Sequence, residues 1–182
     1  MSFKLLLATI PALALAACTG PAINENGLDL IKSFESFEPN VYDDGFGNPT
    51  LGYGHLCGDS TCSEVKYSQP LTESTASQLL ADDLVSYQNG VTNALATAVT
   101  LNANQYAALV SWTFNVGNGN MQGSSLVSRM NAGEDVSTVA GEELPKWNKA
   151  NGEVVAGLTR RRAEEVALFD EASSTGALPV GC

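Results

Sequence analysis

Residues 40–70 constrain this chain more than any other stretch. They are rich in Gly, Asn, Asp, Pro and Tyr, and they lie between segments whose apolar residues recur at helical spacing. Turn residues at that density interrupt a helix, while Val41-Tyr42 and Thr50-Leu51-Gly52-Tyr53 are short β-prone runs. The stretch therefore reads as a small β-hairpin lobe set between helices. Before it, Asn24 to Gly27 can cap a helix with Leu28, Leu30, Ile31 and Phe34 on its apolar stripe, and Pro39 ends any helix soon after Glu35. After it, Thr72 can cap a helix with Ala76, Leu79, Leu80, Leu84 and Val85 on one face. Asn102 can cap another, with Ala107, Leu109, Val110, Trp112 and Phe114 largely buried and Gly117-Asn118-Gly119 as its stop. Short helices over 124–130, 136–144 and 159–169 follow, and residues 171–182 read as a tail. The expected class is α+β, a small β-hairpin lobe and a larger helical lobe with a cleft between them.

A length of 182 residues with 44% hydrophobic content suits one domain with a sizeable core. Residues 1–17 read as a signal peptide: Lys4, an apolar run from Leu5 to Leu15, then small residues for cleavage. That leaves 18–182 as the folded domain of an exported, extracellular protein. Leu15-Ala16-Ala17-Cys18 also resembles a bacterial lipobox, but lipidating Cys18 would leave three cysteines in an oxidising compartment. Cys18, Cys57, Cys62 and Cys182 allow three pairings, of which Cys57 with Cys62 suits a small loop closure and leaves Cys18 with Cys182. No cysteine or histidine spacing suggests a metal site, and no cofactor motif is present. A net charge of −11 argues against non-specific nucleic-acid binding, and no apolar run in the body of the chain is long enough to span a membrane. A monomer is expected.

Glu35 and the hairpin carry the candidate chemistry. Strands ending at Asp44 and restarting at Thr50 leave a five-residue loop, Gly45 to Pro49. In that register Asp44 faces Thr50 directly, and opposed side chains share a face, so the pair can hold a water. Asp43 then points the other way. Glu35 is the candidate proton donor, with apolar Ile31 and Phe34 beside it. An acid on one side and a held water on the other is what hydrolysis of a sugar–sugar bond requires.

The pattern resembles the phage-type lysozymes, glycoside hydrolase family 24. There a catalytic Glu ends the first helix, and an Asp nine residues on and a Thr fifteen residues on lie in a Tyr-x-Asp … Thr-x-Gly-x-Gly-His hairpin, matched here by Glu35, Asp44, Thr50 and the run to His55. The resemblance continues through Trp112-Thr113-Phe114-Asn115-Val116-Gly117 and Gly157-Leu158-Thr159-Arg160-Arg161-Arg162 with Glu165, covering about 27–170. Ser36 departs from the Gly that usually follows the Glu, and the secreted, disulfide-bearing form looks more like the fungal branch. The resemblance implies a lysozyme-like fold and cleavage of the β-1,4 bond between N-acetylmuramic acid and N-acetylglucosamine in peptidoglycan glycan strands. It implies Glu35 as general acid, Asp44 and Thr50 positioning water with inversion, and Gly54, Asn115 and Arg161 as substrate-binding residues, Arg161 pairing with Glu35.

Other residues read more plainly. His55 is a structural hydrogen-bonding residue, with Asp82 or Asp83 as partner. Trp112 and Trp147 are core rather than sugar platforms, and Glu38 and Asp43 are surface charges. The rival functions are hydrolysis of chitin or chitooligosaccharides, and glycan binding with weak catalysis.

Overall fold

Asn24 opens the first helix by accepting the Gly27 N–H on its side chain at 3.1 Å, and α1 runs Glu25–Phe34. The computed structural model describes residues 17–45 and 47–181. The expected signal peptide therefore falls outside the described residues except for Ala17, as does Cys182. Glu35 leaves the helix in extended backbone as its C-cap. The next elements are β1 (Glu38–Asp43), β2 (Pro49–Gly52) and β3 (His55–Leu56), a three-stranded antiparallel sheet in chain order. The Cys57–Cys62 disulfide closes the loop beyond it, with Cα atoms 4.8 Å apart. Cys18 is also disulfide-bonded, while its expected partner lies outside the described residues.

The long helix α2 (Glu73–Ala94) joins the lobes. Thr72 and Thr75 form a reciprocal capping box at its start. Ala76 and Leu79 pack with Leu51, Cys57, Cys62 and Leu71 under the sheet, whereas Leu80, Leu84 and Val91 enter the main core. One helix thus belongs to both hydrophobic clusters and fixes how the β lobe sits on the helical lobe.

The main core surrounds α3 (Ala103–Val116), capped by Asn102 with Gln105 and stopped at Gly117, whose φ of 85° suits glycine. Tyr106, Ala107, Ala108, Leu109, Val110 and Trp112 are all buried. The helix Ala107 sits on packs so closely to α1 that a Cβ at Gly27 would lie 2.6 Å from the Ala107 methyl. Around α3 lie α4 (Asn118–Gln122), α5 (Ser125–Asn131), α6 (Val136–Glu143), a 3-10 turn at Leu144–Lys146, and α7 (Ala156–Asp170).

Two local expectations need correction, and one element was not expected. Residues 171–182 are not merely a tail: β7 (Gly176–Leu178) pairs antiparallel with β4 (Leu101–Asn102), and Leu178 is buried. The last helix begins at Ala156 rather than Thr159, whose hydroxyl donates to the Val155 carbonyl within the first turn. A hairpin of β5 (Lys149–Ala150) and β6 (Glu153–Val154) precedes it, turning at Asn151-Gly152, both with positive φ. Asn-Gly at the two central positions is the signal for that turn.

An ionic knot ties α5 to α6. Glu143 is buried and accepts from Lys146 Nζ at 2.8 Å and Arg129 Nη1 at 2.7 Å, with the Ser125 hydroxyl on its other oxygen. Lys146 first, then Ser125 and Arg129, hold its carboxyl down to about 2 from the ordinary 4.5, against the cost of burial. A depressed value means stability that is present above about 4.5 and lost as pH falls through about 2. Glu143→Gln should therefore lower Tm clearly at neutral pH and by progressively less towards pH 2. A Tm gap that thermal denaturation shows to be constant across that range would rule out the charge as its cause.

Candidate active site

Glu35 projects from the end of α1 toward the β lobe, and α7 reaches it from the other side. Arg161 Nη1 donates to Glu35 Oε1 at 2.8 Å; the Arg side chain is 5% exposed and the Glu side chain 25%. The guanidinium also lies over the Phe34 ring, 5.4 Å from its centroid. Gly54 lines the second carboxylate oxygen: a Cβ there would stand 3.5 Å from Oε2, and its φ of 86° already favours glycine. Glu35, Arg161 and Gly54 are thus brought together.

The hairpin register differs from the expected one. Tyr42, not Asp44, stands opposite Thr50, and Asp43 stands opposite Pro49. Asp44 closes a shorter loop by donating its N–H to the Asn48 carbonyl at 3.1 Å. A slip of one residue would have turned every side chain over, but this slip is of two and preserves the faces. By strand alternation Asp44 and Tyr42 share a face with Thr50, and Asp43 points away. Asp43 Oδ1 accepts the N–H groups of Gly45 and Gly47 at 2.7 and 3.1 Å, so it stabilises the turn.

Asn48 links the two hairpin candidates. Its backbone and side-chain N–H groups donate to the Asp44 carboxylate at 3.1 and 2.9 Å, and its carbonyl accepts the Thr50 hydroxyl at 3.2 Å. Sequence reasoning took Asn48 only as a turn residue. Tyr42 was also missed as a site residue. Burial first, then the negative charges of Glu38, Glu35 and Asp44, push its phenol up.

The three consecutive arginines separate by helical position. Arg160 is exposed, 3.7 Å from Glu164 and with its guanidinium 4.8 Å over Phe34. Arg161 faces Glu35. Arg162 is buried and donates from Nη2 to Asn115 Oδ1 at 3.0 Å and to Glu165 Oε1 at 3.1 Å. Asn115 remains exposed beside Phe114 at the end of α3. Trp112 is fully buried and packs edge-on against Trp147 at 5.4 Å, a core arrangement.

His55 is held by its Nδ1 at 2.9 Å from both oxygens of Asp83, with Nε2 3.3 Å from Glu64. Asp82 instead serves Lys66 at 2.9 Å and the Tyr67 hydroxyl at 2.8 Å. Burial raises Asp83, and His55 opposes the shift. Among the described residues, His55, Glu64 and Cys57 bring ligand atoms within 4.8 Å of one another, but the Cys57 sulfur is bonded to Cys62.

A family model described as phage lysozyme matches residues 32–165. The chain is 40% identical over 150 residues to the endolysin of Bacillus phage PZA, covering 81% of this chain and 55% of that protein. It is 33% identical over 147 residues to the endolysin of Salmonella phage P22, covering 81% of this chain and 97% of that one. The chain spans about half the length of the two Bacillus phage endolysins it matches. Among solved structures, the endolysin from Escherichia coli O157:H7 phage FAHEc1 superposes with a TM-score of 0.70 at 33% identity, covering 85% of this chain and 97% of that one. The muramidase domain of SpmX from Asticaccaulis excentricus does so with a TM-score of 0.68 at 33% identity, covering 82% and 98%.

Proposed function

Because the chain belongs to the phage lysozyme family, we propose that it is a muramidase that hydrolyses the β-1,4 bond between N-acetylmuramic acid and N-acetylglucosamine in peptidoglycan. The observation that carries this reading is Glu35, held by Arg161 across from a hairpin whose Asp44 and Thr50 share one face. Arg161 occupies Oε1, so Oε2, beside Gly54, is the oxygen left to carry the proton. Glu35 delivers that proton to the glycosidic oxygen as the bond to the anomeric carbon breaks. Water attacks the anomeric carbon from the opposite face, and Asp44 takes its proton, so one water is added across the bond. Asn48 holds the Asp44 carboxylate through two N–H groups, and Thr50, on the same face, helps position the water. A carboxylate that activates water rather than attacking the sugar gives inversion. Gly54 and Asn115 line the glycan path.

The same reading places the protein outside the cell, acting as a monomer without a cofactor. The apolar run Leu5 to Leu15 and the Cys57–Cys62 disulfide support export. Among the described residues no helix is long and apolar enough to cross a membrane.

The product spectrum tests substrate and bond together. Digestion of purified peptidoglycan should release muropeptides ending in reducing N-acetylmuramic acid, identified by mass spectrometry after borohydride reduction. Products ending in reducing N-acetylglucosamine, or cleavage of chitooligosaccharides with peptidoglycan left intact, would replace this reading with the chitinolytic one.

A further inference from the structure

Glu165 has no exposed surface, yet each of its contacts leads to the site. It lies on α7 one turn beyond Arg161 and Arg162, which puts all three on the side of that helix facing α3 and α1. Oε1 accepts from the Ser111 hydroxyl at 2.9 Å, Arg161 Nε at 3.3 Å and Arg162 Nη2 at 3.1 Å. Oε2 stands 2.8 Å from Arg162 Nε, close but not aligned as a hydrogen bond. A guanidinium is a rigid plane, so fixing one N–H directs the others. With Nε held by Glu165, Arg161 presents Nη1 to Glu35 at 2.8 Å and Nη2 to the Ser111 carbonyl at 3.5 Å. The Nη2 of Arg162 that meets Glu165 also holds Asn115.

We infer that Glu165 is the positioning residue of this site: its buried carboxylate fixes the Arg161 guanidinium that holds the proton donor, and through Arg162 it fixes Asn115. The inference rests on the muramidase reading. A buried ion cluster of this kind is costly to desolvate and adds little net stability. Its contacts account for it as a frame that aims two side chains at the cleft.

The cluster is formally balanced in charge, Glu35 and Glu165 against Arg161 and Arg162; burial pushes the Glu165 carboxyl up, and the charges of Arg162 and Arg161 oppose that shift. The charges of Glu38, Glu35 and Asp44 all push the Tyr42 phenol up, so these groups share one field with the arginines. Replacing Glu165 with Gln removes one buried negative charge and leaves the arginine field uncompensated at Glu35, which favours the ionised acid. The basic limb of the kcat/KM profile reports the acid of the free enzyme, so it moves to lower pH.

The experiment measures kcat, KM and the pH profile on a soluble peptidoglycan oligosaccharide, with near-UV circular dichroism to establish folding. Glu165→Gln should lose kcat on the order of 100-fold, the scale of a small misplacement at a reacting centre, with KM little changed and the basic limb shifted down. Ser111→Ala, which removes one donor to Glu165 from outside the cleft, should move kcat in the same direction by a smaller factor. In Glu165→Leu/Arg162→Met the charge balance returns and the limb recovers, but kcat stays low because Arg161 Nε has lost its acceptor. Full recovery of kcat in that double variant would reduce Glu165 to a charge balancer and overturn the inference. So would wild-type kcat and pH profile in folded Glu165→Gln; if that variant does not fold, unchanged kcat in Ser111→Ala overturns it. A Glu35→Gln control separates the two levels: activity retained there sinks the assignment of the acid, whereas an inactive control with a normal Glu165→Gln sinks only the positioning role.

Discussion

Glu35→Gln should fold as the parent does and lose about 10²–10⁴ in the rate of cell-wall hydrolysis, the usual worth of a general acid. The amide is nearly isosteric with the carboxyl, and its carbonyl can still accept from Arg161 Nη1, now 2.8 Å from Oε1. What disappears is a transferable proton at the position of Oε2, next to Gly54. Little stability should be lost, because the Glu35 side chain is 25% exposed and a partly solvated ion pair contributes little. Loss of turbidity of a Gram-positive cell suspension reads the rate, and pull-down by insoluble peptidoglycan reads binding. The expected variant binds walls and leaves them intact. Clearing as fast as the parent would remove Glu35 from the chemistry, and unchanged binding with no lysis by either protein would favour a glycan-binding protein instead.

Trp112→Ala should destabilise the protein by about 3–5 kcal/mol, the range for deleting a large buried aromatic. Trp112 is fully buried in the helix at the centre of the main core, and its ring meets the Trp147 ring edge-on at 5.4 Å. Truncation removes the apolar contacts and that ring pair together, in a helix hemmed in closely enough that Gly27 and Ala107 nearly touch. At roughly 2–4 °C per kcal/mol for a chain of this size, the loss is easily read in thermal denaturation. KM for glycan should stay unchanged in the protein that remains folded. A loss under about 1 kcal/mol with a raised KM would contradict the core assignment and return Trp112 to the sugar path.

Much of the scaffold was legible because it depends on local rules. Asn24, Thr72 and Asn102 cap helices since a side-chain oxygen there can accept the first free N–H groups, and all three do so. Gly117 stops α3 since glycine accepts a positive φ. The Asn-Gly turn at 151–152 is equally local, but flanking strands of two residues each carry no alternating pattern to mark it. The strand at Gly176–Leu178 was not legible: its partner lies some seventy residues earlier, and pairing rather than composition makes it a strand.

The candidate site divides in the same way. Residue types and their spacing can be read along the chain: an acid at a helix end, an Asp and a Thr in a turn-rich hairpin, and a run of arginines on a late helix. Strand alternation further determined that Asp43 and Asp44 point oppositely. The pairing of Tyr42 with Thr50 emerges only in the folded hairpin, because a two-residue slip leaves the same faces buried and the hydrophobic pattern cannot distinguish the two registers. Packing likewise decided which arginine meets Glu35, since α7 must turn Arg162 and Glu165 toward α3 before Arg161 can reach across 126 residues of sequence to the acid.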